Sequence, residues 1–438
     1  MKLRCGILDF KIEVNDPIHG FIGLTELETK IIDSQPYQRL RRIKQLSGGH
    51  FVYPTAEHTR FGHCIGALFL ASQMGERLLP QIGLGADELQ EIRLAGLLHD
   101  IGHGPFSHVF EEALVEHRGM NHEDVTEWII KKSELSDIIE DGGLSSSRIA
   151  DLVRGRRKRD VDAVLSGIVA GQIDVDKMDY LIRDSFYCGV SYGLIDRDRL
   201  IKSVEVGDNY TMEFALTARG TLEAFLVARY EMFMNVYYHK AVRSVEVMLV
   251  KLMTAADTAL GLTSFSTPEE FLALDDISLV STIRELDPSL SDDAAEAVRM
   301  VNRLDSRVLY KCAFEKVLHT DDRFVSKVLA TRDVRHSMER EIADDAGLPV
   351  EEVIVDVPTL PSVPHNPYQE DPMEIRVFDI VEGEKQRRNL SDFSNIAEMM
   401  KGYLDVIRVY TSDENRAVVE RAARRVFQET PSTAQIHM

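Results

Sequence analysis

Leu94-Ala95-Gly96-Leu97-Leu98-His99-Asp100-Ile101-Gly102-His103-Gly104-Pro105-Phe106-Ser107-His108 decides how this chain is read. The apolar run 94–98 closes a helical pattern that begins at Asp87, and Gly102, Gly104 and Pro105 break it. Three histidines and an aspartate therefore sit at a helix end, directly behind residues that belong in a core. Buried imidazole and carboxylate need partners. A divalent cation supplies one: nitrogen and oxygen donors suit Mn, Mg, Fe, Ni or Zn, and the lack of thiolates argues against a structural zinc site.

Two other segments offer further ligands. Arg60-Phe61-Gly62-His63 opens a helix over 59–79 that carries Ile65, Leu68, Phe69 and Met74 and stops at Pro80. Gln172-Ile173-Asp174-Val175-Asp176-Lys177-Met178-Asp179-Tyr180 concentrates carboxylates. Taken singly, His63 reads as a capped or core histidine and the aspartates as a solvated helix face. Asn121 caps another helix, with Glu123 and Asp124 in its first turn. Ser203 to Leu216 is a strand-turn-strand around Gly207-Asp208-Asn209, followed by one long helix over 219–260 with Thr217 as N-cap.

The character changes near residue 345. Val353–Val357, Glu374–Val381 and Val406–Tyr410 read as strands, Pro358–Pro372 as a proline-rich connection, and Gln428–Met438 as a fraying tail. The expectation is a mainly α protein, with a helical domain over 1–330, a small β-hairpin, and a small α+β region over 331–438.

Composition limits the partners. Of 438 residues, 44% are hydrophobic and 28% charged, and 72 acidic against 51 basic side chains give a net charge of -21. Such a field disfavours broad nucleic-acid binding, so any phosphate site must be local. No apolar run approaches the roughly 18 to 20 residues of a membrane span, and the first residues lack a signal peptide's apolar core. The expected location is the cytoplasm, with no membrane partner. Four cysteines without a C-x-x-C spacing read as small buried thiols.

The order of one His, a His-Asp doublet and a distant Asp resembles the HD superfamily of metal-dependent phosphohydrolases, and its deoxynucleoside triphosphate (dNTP) triphosphohydrolase branch in particular. The similarity runs through Asn15–Gly20, Gln38–Leu46, His99–Phe110, Ile173–Tyr180 with Arg183-Asp184, and Tyr237–Lys240, between about residues 15 and 260. It implies an HD-type helical core and assigns His63, His99, Asp100 and Asp176 to the metal. It places Arg60, Lys177, Tyr180 and Arg229 on the substrate phosphates, Gln45, Leu46, Asp184 and Tyr237 around the deoxyribose, and adds His103 to the substrate-binding set. His108, Glu111, His122 and Glu123 become the catalytic set, with His108 as acid, Glu111 and His122 relaying its proton, and Glu123 orienting His122. Glu111 stands where the family has aspartate, Phe233 where it has a histidine, and Tyr238 where it has a glutamine.

The implied reaction is hydrolysis of a dNTP to deoxynucleoside and triphosphate, by attack of an activated water on the α-phosphorus. The resemblance also implies a homo-oligomer, dimer or tetramer, and a possible regulatory nucleotide. Two other readings stand beside it. One is an HD nucleotidase or phosphodiesterase acting on other nucleotides. The other is a nucleotide-sensing or nucleic-acid-binding protein with vestigial catalysis, resting on the basic run Arg154-Gly155-Arg156-Arg157-Lys158-Arg159, whose plain reading is a solvated loop between helices.

Overall fold

A computed structural model describes residues 4–5, 8–320, 331–361, 375–399 and 403–427. The side chain of Cys5, most of the expected proline-rich connection, Glu374 and the tail Gln428–Met438 lie outside the described residues. Cys64 and Cys188 are buried thiols, as expected, while Cys312 is partly exposed.

The Arg60–Leu78 helix runs through the middle of the molecule and buries residues on every face, because other elements pack around it. Against it lie Ala86–Leu98, which ends where the periodicity places it, and Val175–Cys188. Glu28 and Arg93 form a fully buried pair at 2.6 and 2.7 Å that ties the N-terminal Glu26–Ile32 helix to Ala86–Leu98. Asn121 caps His122–Lys132 as predicted, accepting the Asp124 N–H while Asp124 accepts its own N–H in return.

The single helix expected over 219–260 is two. Arg219–Met232 leads into a π-turn at Phe233–Tyr237, and Lys240–Leu260 begins anew with the His239 ring accepting the Ala241 N–H. Thr217 is not the cap; Ala218 holds that position without a side-chain bond. Apolar residues on both sides of the break hide it from periodicity, and π-turns gather at functional sites.

The hairpin Val204–Val206 with Met212–Ala215 forms as predicted. Met212–Ala215 also pairs in parallel with Arg376–Val381, which pairs with Glu384–Asn389, so the sheet has four strands. A second sheet sets Tyr403–Thr411 between Lys311–Thr320 and Ile354–Asp356. Phe314, Val355, Ile407 and Val409 from this sheet meet Ile342, Val419 and Ala422 in a separate small core.

The basic run lies between two helices, Ser146–Val153 and Asp162–Ala170, with Arg157, Lys158 and Arg159 exposed as a solvated loop requires, yet most of its cations are paired. Arg154 bonds Asp124 at 2.6 Å, Arg156 grips Glu127 at 2.6 and 2.8 Å, Lys158 pairs with Asp151, and Arg159 with Asp162 at 3.1 Å. Four of its five cations are neutralised by neighbouring acids, which removes the support for a nucleic-acid surface.

Asp162 is the anchor of this corner. Its carboxylate takes both arms of Arg148 at 2.6 and 2.7 Å and the N–H groups of Lys158 and Arg159 at 3.0 and 2.8 Å. Burial alone would raise its pKa, but these donors hold it down to about 2. A depressed carboxyl stabilises the fold above its unfolded value near 3.8 and stops doing so as pH falls toward 2. Asp162→Asn should lower stability at pH 7 by about 1–3 kcal/mol. It should also flatten the fall in melting temperature between pH 5 and 2.5; an unchanged acid limb in thermal melts would contradict the assignment.

Candidate metal centre and active site

Three elements bring the metal-type residues together. His63 is on the first turn of Arg60–Leu78, His99 and Asp100 follow the end of Ala86–Leu98, and Asp176 is on the first turn of Val175–Cys188, whose N-cap is Asp174. His63 Nε2 lies 3.2 Å from His99 Nε2 and 3.1 Å from Asp176 Oδ1, and His99 Nε2 is 3.5 Å from the same oxygen. Asp100 closes the fourth side, with oxygens 3.6 Å from His63 Nε2 and 3.5 Å from His99 Nε2.

The donor set fits a divalent cation. His63 Nδ1 is 2.7 Å from Asp179 Oδ2 and His99 Nδ1 is 2.8 Å from the Gly96 carbonyl oxygen, acceptors that place each ring proton on Nδ1. Both Nε2 atoms then present lone pairs to one point, beside carboxylate oxygens. Electrostatics agree: against burial, Asp176 and Asp179 push His63 up to about 10, so the centre attracts positive charge. Asp100 is the least free of the four, because Arg60 pairs with its Oδ2 and His103 Nε2 lies 3.3 Å from its Oδ1.

Behind His63 lies a buried chain to which the sequence reading gave no role. Asp179, fully buried, also meets His19 Nε2 at 2.6 Å and both arms of Arg183 at 2.8 and 2.9 Å, and Arg183 reaches Asp16 at 2.8 Å. Burial opposes its charge, yet Arg183, His19 and His63 hold its carboxyl well below the usual range. Gly66 makes room: a Cβ there would lie 1.9 Å from Asp179 Oδ1. The signal was present in the i, i+4 spacing of Asp179 and Arg183 and in the polar string Asn15–His19.

A second cluster faces the first across Asp100. Glu111 bridges two imidazoles, His108 Nδ1 at 2.9 Å and His122 Nδ1 at 2.8 Å, and accepts the His122 N–H at 3.2 Å. The two rings overcome its burial and hold its carboxyl far below the ordinary range. His103, buried, stacks on His122 with centroids 4.2 Å apart at 14°. His103, His108 and His122 can also bring one ligand atom each within 4.8 Å of one another. Glu123 is half-buried and makes no hydrogen bond to the His122 ring; its carboxylate lies 3.9 Å from Arg154. The glutamate arm at 111, from a different helix, is the carboxylate that reaches both rings.

The substrate-type residues divide. Arg60 is buried, its Nε donating to Ser107 Oγ at 2.8 Å. Arg229 is buried with its guanidinium 5.0 Å from the Phe233 ring, beside Tyr180. Lys177 turns back to its own helix cap, 2.5 Å from Asp174 Oδ2 and 3.1 Å from the Gly171 carbonyl. Asp184 accepts the Tyr237 hydroxyl at 2.8 Å and faces His58 Nε2 at 2.7 Å. Gln45 has a buried Oε1 without a hydrogen bond, and Leu46 is half-buried against the main core. Tyr238 is buried against Phe233, ring centroids 5.7 Å apart.

The link from the His99-Asp100 pair to His108 is strained. Phe106 and Ser107 both have positive φ, 54° and 55°, which costs non-glycine residues about 1–3 kcal/mol each and persists only where surroundings impose it.

Comparison with known proteins places this arrangement. Residues 60–184 match the HD domain, and residues 195–437 match the HD associated region. The chain is 33% identical over 322 residues to the deoxynucleoside triphosphate triphosphohydrolase SAMHD1 homolog of Dictyostelium discoideum, covering 70% of this chain and 61% of that protein. It is 30% identical over 349 residues to the HD domain-containing protein L394 of Acanthamoeba polyphaga mimivirus, covering 73% and 76%. The crystal structure of a hypothetical protein from Aquifex aeolicus superposes with a TM-score of 0.74 at 28% identity, covering 94% of this chain and 99% of that one. The chain spans about three fifths of the length of the curated relatives it matches first. With the HD match running from Arg60 to Asp184 and enclosing every metal-type residue, the chain belongs to the HD-domain family and carries that family's associated region.

Proposed function

We propose that this protein hydrolyses dNTPs to deoxynucleoside and inorganic triphosphate at a single divalent metal held by His63, His99, Asp100 and Asp176. The observation that carries this reading is the pairing of two clusters across Asp100: a converging His-His-Asp set and, beside it, two imidazoles locked to one carboxylate. When bound, the metal lowers the pKa of water and polarises a phosphoryl oxygen; Mn²⁺, Mg²⁺, Fe²⁺, Ni²⁺ and Zn²⁺ all suit the donors.

The chain's own residues do the rest. Arg60, fixed by Asp100 and Ser107, and Arg229 offset phosphate charge at sites already shielded from water, where preorganised cations are most effective. Lys177 contributes once phosphate replaces Asp174 as its partner. Water adds to the α-phosphorus, the bond to the 5′ oxygen breaks, and His108, the exposed imidazole of the second cluster, delivers the proton to that oxygen. Glu111 keeps His108 oriented and balances its charge, with His122 on the opposite oxygen. Asp184 and Tyr237 bound the sugar, with Gln45 and Leu46 opposite. Support for the dNTP class comes from the Dictyostelium relative's activity. A homo-oligomer and a regulatory nucleotide belong to the same proposal, as does a cytoplasmic setting; among the described residues no helix is long and apolar enough to cross a membrane.

The test is purified protein with each dNTP and rNTP, each metal in turn, and GTP present or absent. Triphosphate from dNTPs alone supports the reading; orthophosphate or a mononucleotide as product replaces it with a nucleotidase or phosphodiesterase. Within this scheme Glu111→Gln should retain metal and fold but lower kcat by ~10²–10⁴-fold. A kcat unchanged by Glu111→Gln would remove the carboxylate from the mechanism.

A further inference from the structure

The loop that carries His108 is gripped from far along the chain. Asp276, 5% exposed, is the first residue of the Asp276–Glu285 helix, behind its N-cap Asp275. Its carboxylate spends nothing on that helix's own cap: Oδ1 accepts the Phe106 N–H at 2.7 Å and Oδ2 accepts the Lys44 N–H at 2.9 Å. The opposite side of the Phe106 residue is held too, since the Ser47 hydroxyl donates to the Phe106 carbonyl at 2.7 Å. Ser107 then donates to the Lys44 carbonyl at 3.1 Å while accepting from Arg60. Strand-like pairing continues inward, with Arg60 N–H on the Ile43 carbonyl and Gln45 N–H on the His58 carbonyl.

One carboxylate thus bolts together the two loops that flank the metal cluster, at the residue where the positive-φ turn begins. Phe106 and Ser107 have no conformational reason of their own to adopt that geometry. Without it the Ser107–His108 peptide would relax toward ordinary angles and swing the imidazole away from Glu111 and the metal ligands. We propose that Asp276 is a positioning residue that fixes the strained turn leading into His108, and so sets the distance between the proton donor and the metal cluster.

Asp275 serves a separate purpose, accepting the Ile277 and Ser278 N–H groups and pairing with Arg42 at 2.5 Å. Asp276→Asn is isosteric and leaves that cap in place. It turns one acceptor into an NH₂ group facing an N–H, so one of the two clamps must open.

The experiment measures amide hydrogen exchange at Phe106 and Lys44, bound metal, and steady-state kinetics on dNTPs and on bis(4-nitrophenyl) phosphate. It compares the wild type with Asp276→Asn, Ser47→Ala and the double variant. Exchange at Phe106 or Lys44 should rise at least ~10-fold in Asp276→Asn, with protection elsewhere unchanged. Metal content and KM should hold while kcat falls ~10²-fold, the effect of a displaced catalytic group. Because both substitutions act on one residue's backbone, the double variant should lose much less than the product of the two single losses.

A kcat within about twofold of wild type despite an opened Phe106 amide would overturn the proposal, as would multiplicative losses. Equal falls in metal content and kcat would also overturn it, by making Asp276 a structural residue. If Asp276→Asn does not fold, Ser47→Ala alone must show the kcat loss with KM and metal unchanged. The kinetic arm rests on the hydrolase reading and the exchange arm does not. A wild type that cleaves no phosphate ester would end the hydrolase reading, and the clamp would then stand or fall on whether exchange rises at Phe106 or Lys44 with protection elsewhere unchanged.

Discussion

Asp176→Ala should yield a folded protein that binds no metal and turns over at least ~10³-fold more slowly, a loss of roughly 4 kcal/mol of transition-state stabilisation. The fold should survive because Asp176 is a partly exposed first-turn residue, its side chain 32% accessible, whose partners are the two metal-facing imidazoles. What it removes is the oxygen on which both Nε2 atoms converge. His63 and His99 would remain, two lone pairs 3.2 Å apart with one counter-charge gone. Metal analysis after dialysis, circular dichroism and the triphosphate assay separate the outcomes. Full activity in metal-free Asp176→Ala protein would sink the metal assignment.

Asp179→Ala should do the reverse, damaging the fold first. The residue touches no proposed substrate, yet its two oxygens meet His19, His63 and Arg183 with no water access. Removing one member of a buried charged network typically costs about 3–5 kcal/mol, because the partners are left uncompensated. Arg183 would keep Asp16 but lose its bidentate contact. His63 would lose the acceptor that fixes its Nδ1 proton, so metal affinity in whatever protein still folds should drop ~10–100-fold. Asp179→Asn keeps the volume and should lie between the two. Thermal melts and metal titration read both effects, and a melting temperature equal to wild type would refute the network's role.

The two aspartates lie three residues apart in one short string, and a reading of composition treats them alike. The family resemblance singles out His63, His99, Asp100 and Asp176, and the structure brings these four side chains together, because a helix start, a helix end and a second helix start each present one of them at a position fixed by local structure. Glu123 was assigned by proximity to His122 in sequence. A helix sends successive side chains about 100° apart, so the neighbour in sequence need not meet the ring, and Glu111, on another helix, is the carboxylate that bonds it. The break at Phe233–Tyr237 escaped for a different reason: both halves are apolar at helical spacing, and a π-turn changes the register without changing the pattern. Lys177 and the basic run Arg154–Arg159 illustrate a third limit. Sequence shows that cations are near acids but not which pairs close, and here nearly every one does. Asp276 was invisible because nothing local distinguishes a carboxylate that caps its own helix from one that reaches a loop 170 positions earlier.

The parallel pairing of Met212–Ala215 with Arg376–Val381 has a consequence for synthesis. The helices of the metal core can form and dock as the chain emerges, since their contacts come mostly from residues already made. The outer side of Met212–Ala215 must wait for more than a hundred and fifty further residues. Until then it is an open strand edge with unpaired N–H and C=O groups, of the kind that recruits other chains. A nascent or truncated chain ending before residue 376 should therefore aggregate through that edge even though every metal-type residue is already present.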